Sequence, residues 1–152
     1  MNQQQLNTIK EIADEFFKKT TFEVDIEVLP EKEKTVPIKI KTPDPKVLIG
    51  EGGQTLNEIQ HLLKAILKRK VDEEFYINID INGYKERKED YLRELVRSVA
   101  DEVILTKKEK ELAPMPAYER RIIHMEISSR EGVEAESIGE EPERRIIVKP
   151  KV

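Results

Sequence analysis

The chain has 152 residues, room for one ordinary domain or two small ones, with 38% hydrophobic and 38% charged residues, and no cysteine, which excludes disulfides, thiolate metal sites and thiol catalysis and agrees with a reducing cytoplasm. A net charge of −4 and a sequence pI near 5.4 argue against a protein that coats nucleic acid non-specifically. The start, Met1-Asn2-Gln3-Gln4-Gln5, lacks the basic and apolar parts of a signal peptide, and no apolar run approaches the ~20 residues of a membrane helix, which excludes membrane insertion.

Leu6, Ile9, Ile12, Ala13, Phe16 and Phe17 recur at helical spacing and predict a first helix. Phe22, Val24, Ile26 and Val28 alternate with polar residues as a half-buried strand does. Pro30 closes that strand, residues 31–34 form a charged turn, and Val36, Ile38 and Ile40 alternate again, which predicts a β-hairpin. Pro43-Asp44-Pro45 breaks the second strand and starts a short helix that enters Gly50-Glu51-Gly52-Gly53. From Gln54, the positions Leu56, Ile59, Leu62, Leu63, Ile66 and Leu67 trace one helix face, with Lys64, Lys68, Arg69 and Lys70 on other faces and near its end, where cations favour the helix dipole. Phe75, Ile77, Ile79 and Ile81 predict a third strand, stopped by Asn82-Gly83.

A long charged helix follows, its buried stripe marked by Tyr84, Tyr91, Leu92, Leu95, Val96, Val99, Ala100 and Val103, and it ends near Thr106. Residues 107–111 read as a charged connector, Ala113-Pro114-Met115-Pro116 as a stiff turn, and residues 118–127 as a helix. Residues 133–138 predict a strand, residues 139–142 a turn, and Ile146-Ile147-Val148 a closing strand. The reading is an α+β protein of two small domains, 1–83 and 84–152, joined directly by the long helix. Arg69 is the only arginine before residue 84. Because arginine presents a planar fork that fits phosphate and stacks on bases, the C-terminal half is the expected contact surface.

Two stretches point at a ligand. The first is Val47-Leu48-Ile49-Gly50-Glu51-Gly52-Gly53-Gln54-Thr55-Leu56. Glycines between two helices often serve only the turn, since one of them must adopt positive φ. Such a loop also lets a sugar-phosphate backbone lie against exposed N–H groups at a helix start. The string, together with the element order α-β-β-α-α-β, resembles a type II KH domain, a single-stranded nucleic-acid-binding fold. That resemblance implies that residues 50–53 clamp about four nucleotides against a groove beside the sheet, with Gln54 next to them and an apolar groove floor for which Ile49, Leu56 and residues of the neighbouring strand are candidates. Families of this kind often carry Lys or Arg at the loop's variable positions; here they are Glu51 and Gly52. Lys46 and Lys64 are candidates to offset the carboxylate, and weak RNA binding by this half alone is expected.

The second stretch is Pro114-Met115-Pro116-Ala117-Tyr118-Glu119-Arg120-Arg121-Ile122-Ile123-His124. Arg120 and His124 are four apart and share a helix face, Arg121 and His124 are three apart, and the Tyr118 ring is near. Such a set can bind phosphate and stack on an unpaired base. An isolated Arg-x-x-x-His is more often a solvated face, with Glu119 as an ion-pair partner. The longer string, with Ser137, Gly139-Glu140-Glu141-Pro142 and Arg144-Arg145 before Ile146, resembles the R-3-H domain, named for Arg and His spaced by three residues. The resemblance implies a single-stranded nucleic-acid face containing Arg120 and His124, with Arg121, Arg144 and Arg145 as accompanying basic positions.

KH then R-3-H, linked by residues 79–88 leading into a long helix, is similar to the bacterial Jag family, also known as the KhpB or EloR family. This implies a non-enzymatic cytoplasmic protein that binds single-stranded RNA or single-stranded DNA, a post-transcriptional regulator linked to cell elongation or division. The alternative is a protein-interaction module that pairs with a second KH-domain protein or a second copy of itself. Jag proteins often carry a further N-terminal domain and linker that these 152 residues do not include, and the functions of that part are not carried over. His61 and His124 are separated from other ligand types apart from carboxylates, and no G-x-x-x-x-G-K-[ST] loop or H-E-x-x-H motif is present. No catalytic residue, metal or cofactor is expected.

Overall fold

In the computed structural model, which describes all residues from Met1 to Val152, the first helix starts on a reciprocal cap. Asn2 Oδ1 accepts from the Gln5 N–H and Gln5 Oε1 accepts from the Asn2 N–H, both at 2.8 Å, so two donors that lack helical partners are satisfied. Helix α1 (Gln3–Lys18) buries Leu6, Ile9, Ala13 and Phe17, the stripe its spacing predicts. Strands β1 (Asp25–Val28) and β2 (Thr35–Lys41) pair antiparallel, with Ile26 opposite Ile40 and Val28 opposite Ile38. The expected hairpin is present, but β1 begins at Asp25 and not at Phe22. Beyond Lys41 the β2 backbone is already engaged: the Thr42 N–H donates to Asn82 Oδ1 at 3.0 Å, and Asn82 Nδ2 donates to the Thr42 carbonyl at 2.9 Å. Phe22 and Val24 still pack on the core.

Strand β3 (Tyr76–Ile81) runs parallel to β2, with Ile38 opposite Ile79 and Ile40 opposite Ile81, giving the order β1-β2-β3. A parallel neighbour needs a crossover. It is supplied by α2 (Pro45–Ile49), a single 3-10 turn (Glu51–Gly53) and α3 (Gln54–Lys68). Helices α1 and α3 pack on β1 and β3. Val36, Ile38, Ile40, Ile77, Ile79 and Ile81 form the buried sheet face, while Glu27, Lys39, Tyr76 and Asn78 are exposed. Leu62, placed by periodicity on the buried face of α3, is 53% exposed. It sits one residue, about 100°, from Leu63, at the edge of an apolar arc wider than the core can cover.

The chain divides into two units, Met1–Lys85 and Glu86–Val152. Helix α4 (Tyr84–Thr106) begins in the first, where Tyr84 packs on the core and Asp80 Oδ1 accepts the Lys85 N–H at 3.0 Å. In the second unit α4 buries Leu92, Val96, Val99, Ala100 and Val103. Tyr91 does not join that stripe; it is 57% exposed, with the Lys88 ammonium 5.3 Å from its ring centroid. Helix α5 (Ala117–Ser128) follows a short strand β4 (Lys110–Glu111), and β5 (Val133–Ile138) and β6 (Arg145–Pro150) complete an antiparallel sheet of order β4-β6-β5. Residues 110–111, read from sequence as connector, pair with Val148 and Ile147. Ile123 and Ile127 of α5 close a second core with Leu112, Val133, Ile146 and Val148. The α+β class and the order of the elements match the sequence reading. No helix is long and apolar enough to cross a membrane.

Candidate nucleic-acid interface

The glycine loop is built on three glycines of positive φ, 74°, 61° and 83° at Gly50, Gly52 and Gly53. Gly52 and Gly53 lie in the left-handed helical region, which costs other residues about 1–2 kcal/mol each, and Gly50, with ψ 179°, lies in a region that is essentially glycine-only. The reason differs at each. A Cβ on Gly50 would lie 2.8 Å from Thr55 Cβ and 2.9 Å from the Thr55 backbone nitrogen, with Thr55 Oγ1 nearer still. A Cβ on Gly53 would sit 3.1 Å from the Tyr84 ring. A Cβ on Gly52 would have nothing beyond its chain neighbours within 4 Å, and Gly52 is exposed to an incoming molecule. Glu51, Gly52 and Gln54 are exposed, and Gln54 Nε2 donates to Glu58 Oε1 at 3.3 Å. Ile49 and Leu56, expected as a groove floor, are 8% and 1% exposed and belong to the core under the loop. The apolar side chain left beside the loop is Val47, 54% exposed.

Lys64 does not offset Glu51. It lies ten residues along α3 from Gln54, about 15 Å at helical rise. Its ammonium donates to the Phe75 carbonyl and sits 3.7 Å from the Phe75 ring centroid. Burial there lowers its pKa, the neighbouring Lys68 charge adding to the effect. Lys64 also lines a cleft of about 540 Å³ with Lys68, Asp72, Glu73, Glu74 and Tyr76. Its mixed charges select neither anion nor cation.

In the second unit both namesake side chains are engaged within the domain, Arg120 buried and His124 half-buried. Arg120 is 8% exposed; Nη1 donates to the Met115 carbonyl at 2.6 Å and Nη2 to Glu141 Oε1 at 2.9 Å. One guanidinium thus joins the 113–116 turn to the turn between β5 and β6. His124 Nε2 lies 2.8 Å from Ser137 Oγ on β5. Arg144 Nη1 donates to the Gly139 carbonyl at 2.7 Å. Arg145 Nε pairs with Glu111, and Nη1 donates to the Glu143 carbonyl at 3.1 Å. Arg121 is exposed, and Tyr118 is half-buried on the first turn of α5. The structure therefore collects Arg120, His124, Arg144 and Arg145 around one hairpin and leaves Arg121 outside it.

Glu119, read from sequence as a surface ion-pair partner, is 3% exposed, and its Oε1 has no hydrogen-bond partner. Burial raises its pKa above the ordinary carboxylate value, and Lys88, 3.7 Å away, offsets part of that rise. The helix N-terminus also favours the negative charge. A second residue missed from sequence is Lys85. Its ammonium donates to Asn78 Oδ1 at 2.6 Å and Gln60 Oε1 at 3.0 Å, and burial lowers its pKa. No three His, Asp or Glu side chains come together where they could hold a metal ion.

Comparison with known proteins matches the chain to two domain families. The KH domain model covers residues 8–89, more than half of the chain, and the R-3-H domain model covers residues 90–150. Among curated relatives, the RNA-binding protein KhpB of Clostridium symbiosum is 34% identical over 142 residues, 93% of this chain and 64% of that protein. The RNA-binding protein KhpB of Bacillus subtilis is 33% identical over 123 residues, 80% of this chain and 59% of that protein. The RNA-binding protein KhpB of Lactiplantibacillus plantarum is 35% identical over 102 residues, 67% of this chain and 32% of that protein. The chain thus spans between about a third and two thirds of the length of these relatives. The chain belongs to the Jag (KhpB) family, as a KH domain followed by an R-3-H domain.

Proposed function

We propose that the chain is a non-enzymatic RNA-binding protein that holds single-stranded RNA, with residues 49–54 as the contact in the KH domain and the α5 region, from Tyr118 to His124 with Arg144 and Arg145, as the contact in the R-3-H domain. The observation that carries the reading is Gly52, exposed on the glycine loop with nothing within 4 Å of where a side chain would begin. A phosphate can approach that exposed backbone, the kind of glycine-framed loop against which a sugar-phosphate chain lies, although the Gly53 and Gln54 N–H groups already donate to the Gly50 and Glu51 carbonyls. Relatives named as RNA-binding proteins support the same ligand class. The Jag resemblance extends the reading to cytoplasmic post-transcriptional regulation linked to cell elongation or division.

Fluorescence anisotropy with labelled single-stranded RNA, single-stranded DNA and duplex RNA tests it. Single-stranded RNA binds best, and its affinity falls as salt rises. Gly52→Asp, which adds a carboxylate where the loop is open, weakens binding while the fold is kept. Equal affinity for duplex and single strand, or no effect of Gly52→Asp, sinks the reading. A second reading, a contact with another KH protein or a second copy, is favoured by exposed Glu51 and Val47 at the loop. Light scattering that finds a stable dimer with no RNA affinity selects it.

A further inference from the structure

We infer that the outer face of α5, carried by Arg121 and Met125, is the part of the R-3-H domain that touches the strand, and that Arg120 and His124 are positioning residues that hold α5 against the β5–β6 hairpin. The inference rests on the single-stranded RNA reading and divides the labour within it.

Four residues on a helix turn through about 40° beyond a full circle, so Arg120 and His124 point the same way. That way is inward. Arg120 is 8% exposed and joins Met115 to Glu141, and His124 meets Ser137. A phosphate reaching Arg120 must first displace the Glu141 carboxylate. Arg121 lies about 100° round the helix from Arg120. It is exposed, and no hydrogen bond or ion pair engages it, whereas Arg120, Arg144 and Arg145 all donate within the unit. Met125, one turn further on, is 67% exposed. A guanidinium without a partner fits a phosphate, and an exposed thioether beside it fits an aromatic ring such as an unstacked base. The pairing of one cation with one apolar surface at i and i+4 matches a strand that alternates phosphate and base more closely than it matches an acidic protein face.

The test is anisotropy of the full chain with a labelled single-stranded oligouridine over a potassium chloride series, with thermal unfolding of each variant alongside. Arg121→Gln weakens binding several-fold at physiological salt and reduces the slope of log affinity against log salt by ~0.7, the value for one lost phosphate contact on a single strand, with the melting temperature unchanged. Met125→Ser weakens binding several-fold and leaves the slope unchanged. Arg120→Lys, which cannot reach Met115 and Glu141 together, lowers the melting temperature and leaves the slope at its wild-type value. Glu141→Gln keeps the side chain's size and should lower the melting temperature less, again without a change of slope. The inference is overturned if Arg121→Gln changes neither affinity nor slope, or if Arg120→Lys or Glu141→Gln reduces the slope at an unchanged melting temperature. If Arg121→Gln and Met125→Ser spare RNA binding but alter self-association in light scattering, the face is a protein contact and the inference fails while the RNA reading stands. Wild-type protein that binds no single strand removes both.

Discussion

Gly50→Ala separates the two reasons for glycine in the loop. At φ 74° any Cβ is strained, and here it would also press on Thr55, 2.8 Å from its Cβ and 2.9 Å from its backbone nitrogen. The backbone strain at φ 74°, ψ 179° costs about 1–3 kcal/mol, and forcing a methyl into occupied space about 1–3 kcal/mol more. The expected loss is therefore about 2–6 kcal/mol, a large share of the ~4–13 kcal/mol that an 85-residue unit holds at ordinary stability per residue. Gly52→Ala meets nothing within 4 Å and should cost only about 1–2 kcal/mol for its φ of 61°. Thr55→Ala added to Gly50→Ala recovers only part of the loss, because the backbone nitrogen cannot move away by a side-chain rotation. Native-state hydrogen exchange read by mass spectrometry reports the units separately: peptides from β2 and β3 lose protection in Gly50→Ala, and peptides from α5 and β6 do not. Equal losses for Gly50→Ala and Gly52→Ala, or full rescue by Thr55→Ala, would falsify the steric account.

Glu51→Lys replaces a carboxylate worth ~1 kcal/mol of repulsion from a nearby phosphate in water with an attraction of similar size, a change of ~2 kcal/mol, so single-stranded RNA affinity should rise about thirty-fold at low salt; an unchanged affinity would place Glu51 away from the bound strand. Ser137→Ala removes the partner of His124 Nε2 and should cost the second unit about 1 kcal/mol in urea unfolding; no loss would mean that water replaces the hydroxyl. Glu119→Gln gives a pH signature. Its folded pKa is raised, chiefly by burial, so between the unfolded value near 4.5 and the higher folded one the native state holds more protons, and its contribution to stability falls as pH rises. Thermal unfolding should find Glu119→Gln more stable than wild type at neutral pH, the difference shrinking toward pH 4.5; a difference that grows on acidification refutes this.

Much of the fold was legible because burial follows simple periods. Val36, Ile38 and Ile40 and then Ile77, Ile79 and Ile81 alternate and are all buried. What alternation cannot carry is pairing direction: nothing in these strings distinguishes the parallel β2–β3 ladder from an antiparallel one, and the evidence lies in the crossover between them. Strand β4 escaped because two exposed residues, Lys110 and Glu111, have no pattern to show. It exists through partners on β6 that are distant in sequence. Tyr91 and Leu62 were misplaced for the opposite reason, since each extends an apolar stripe past the edge of what its neighbours cover.

The R-3-H motif is legible as a spacing, and the direction its side chains face is carried by the residues around it. Ile123 and Ile127 define the buried side of α5. Stepping back three residues from each gives Arg120 and His124, so both motif residues border the apolar stripe, and Glu119 falls four before Ile123. Arg121 and Met125 fall outside it. Spacing alone treats all these polar side chains as surface, because it contains no information about the hairpin that covers one side of the helix. The decisive partners, Glu141 and Ser137, lie 21 and 13 positions further on. A buried guanidinium that donates to a carbonyl and a carboxylate is stable because its charge is answered in place. The same satisfaction makes it a poor donor to a new phosphate, which would have to offer more than Glu141 already does. An arginine with no such partner has no competitor to displace, and on α5 that residue is Arg121.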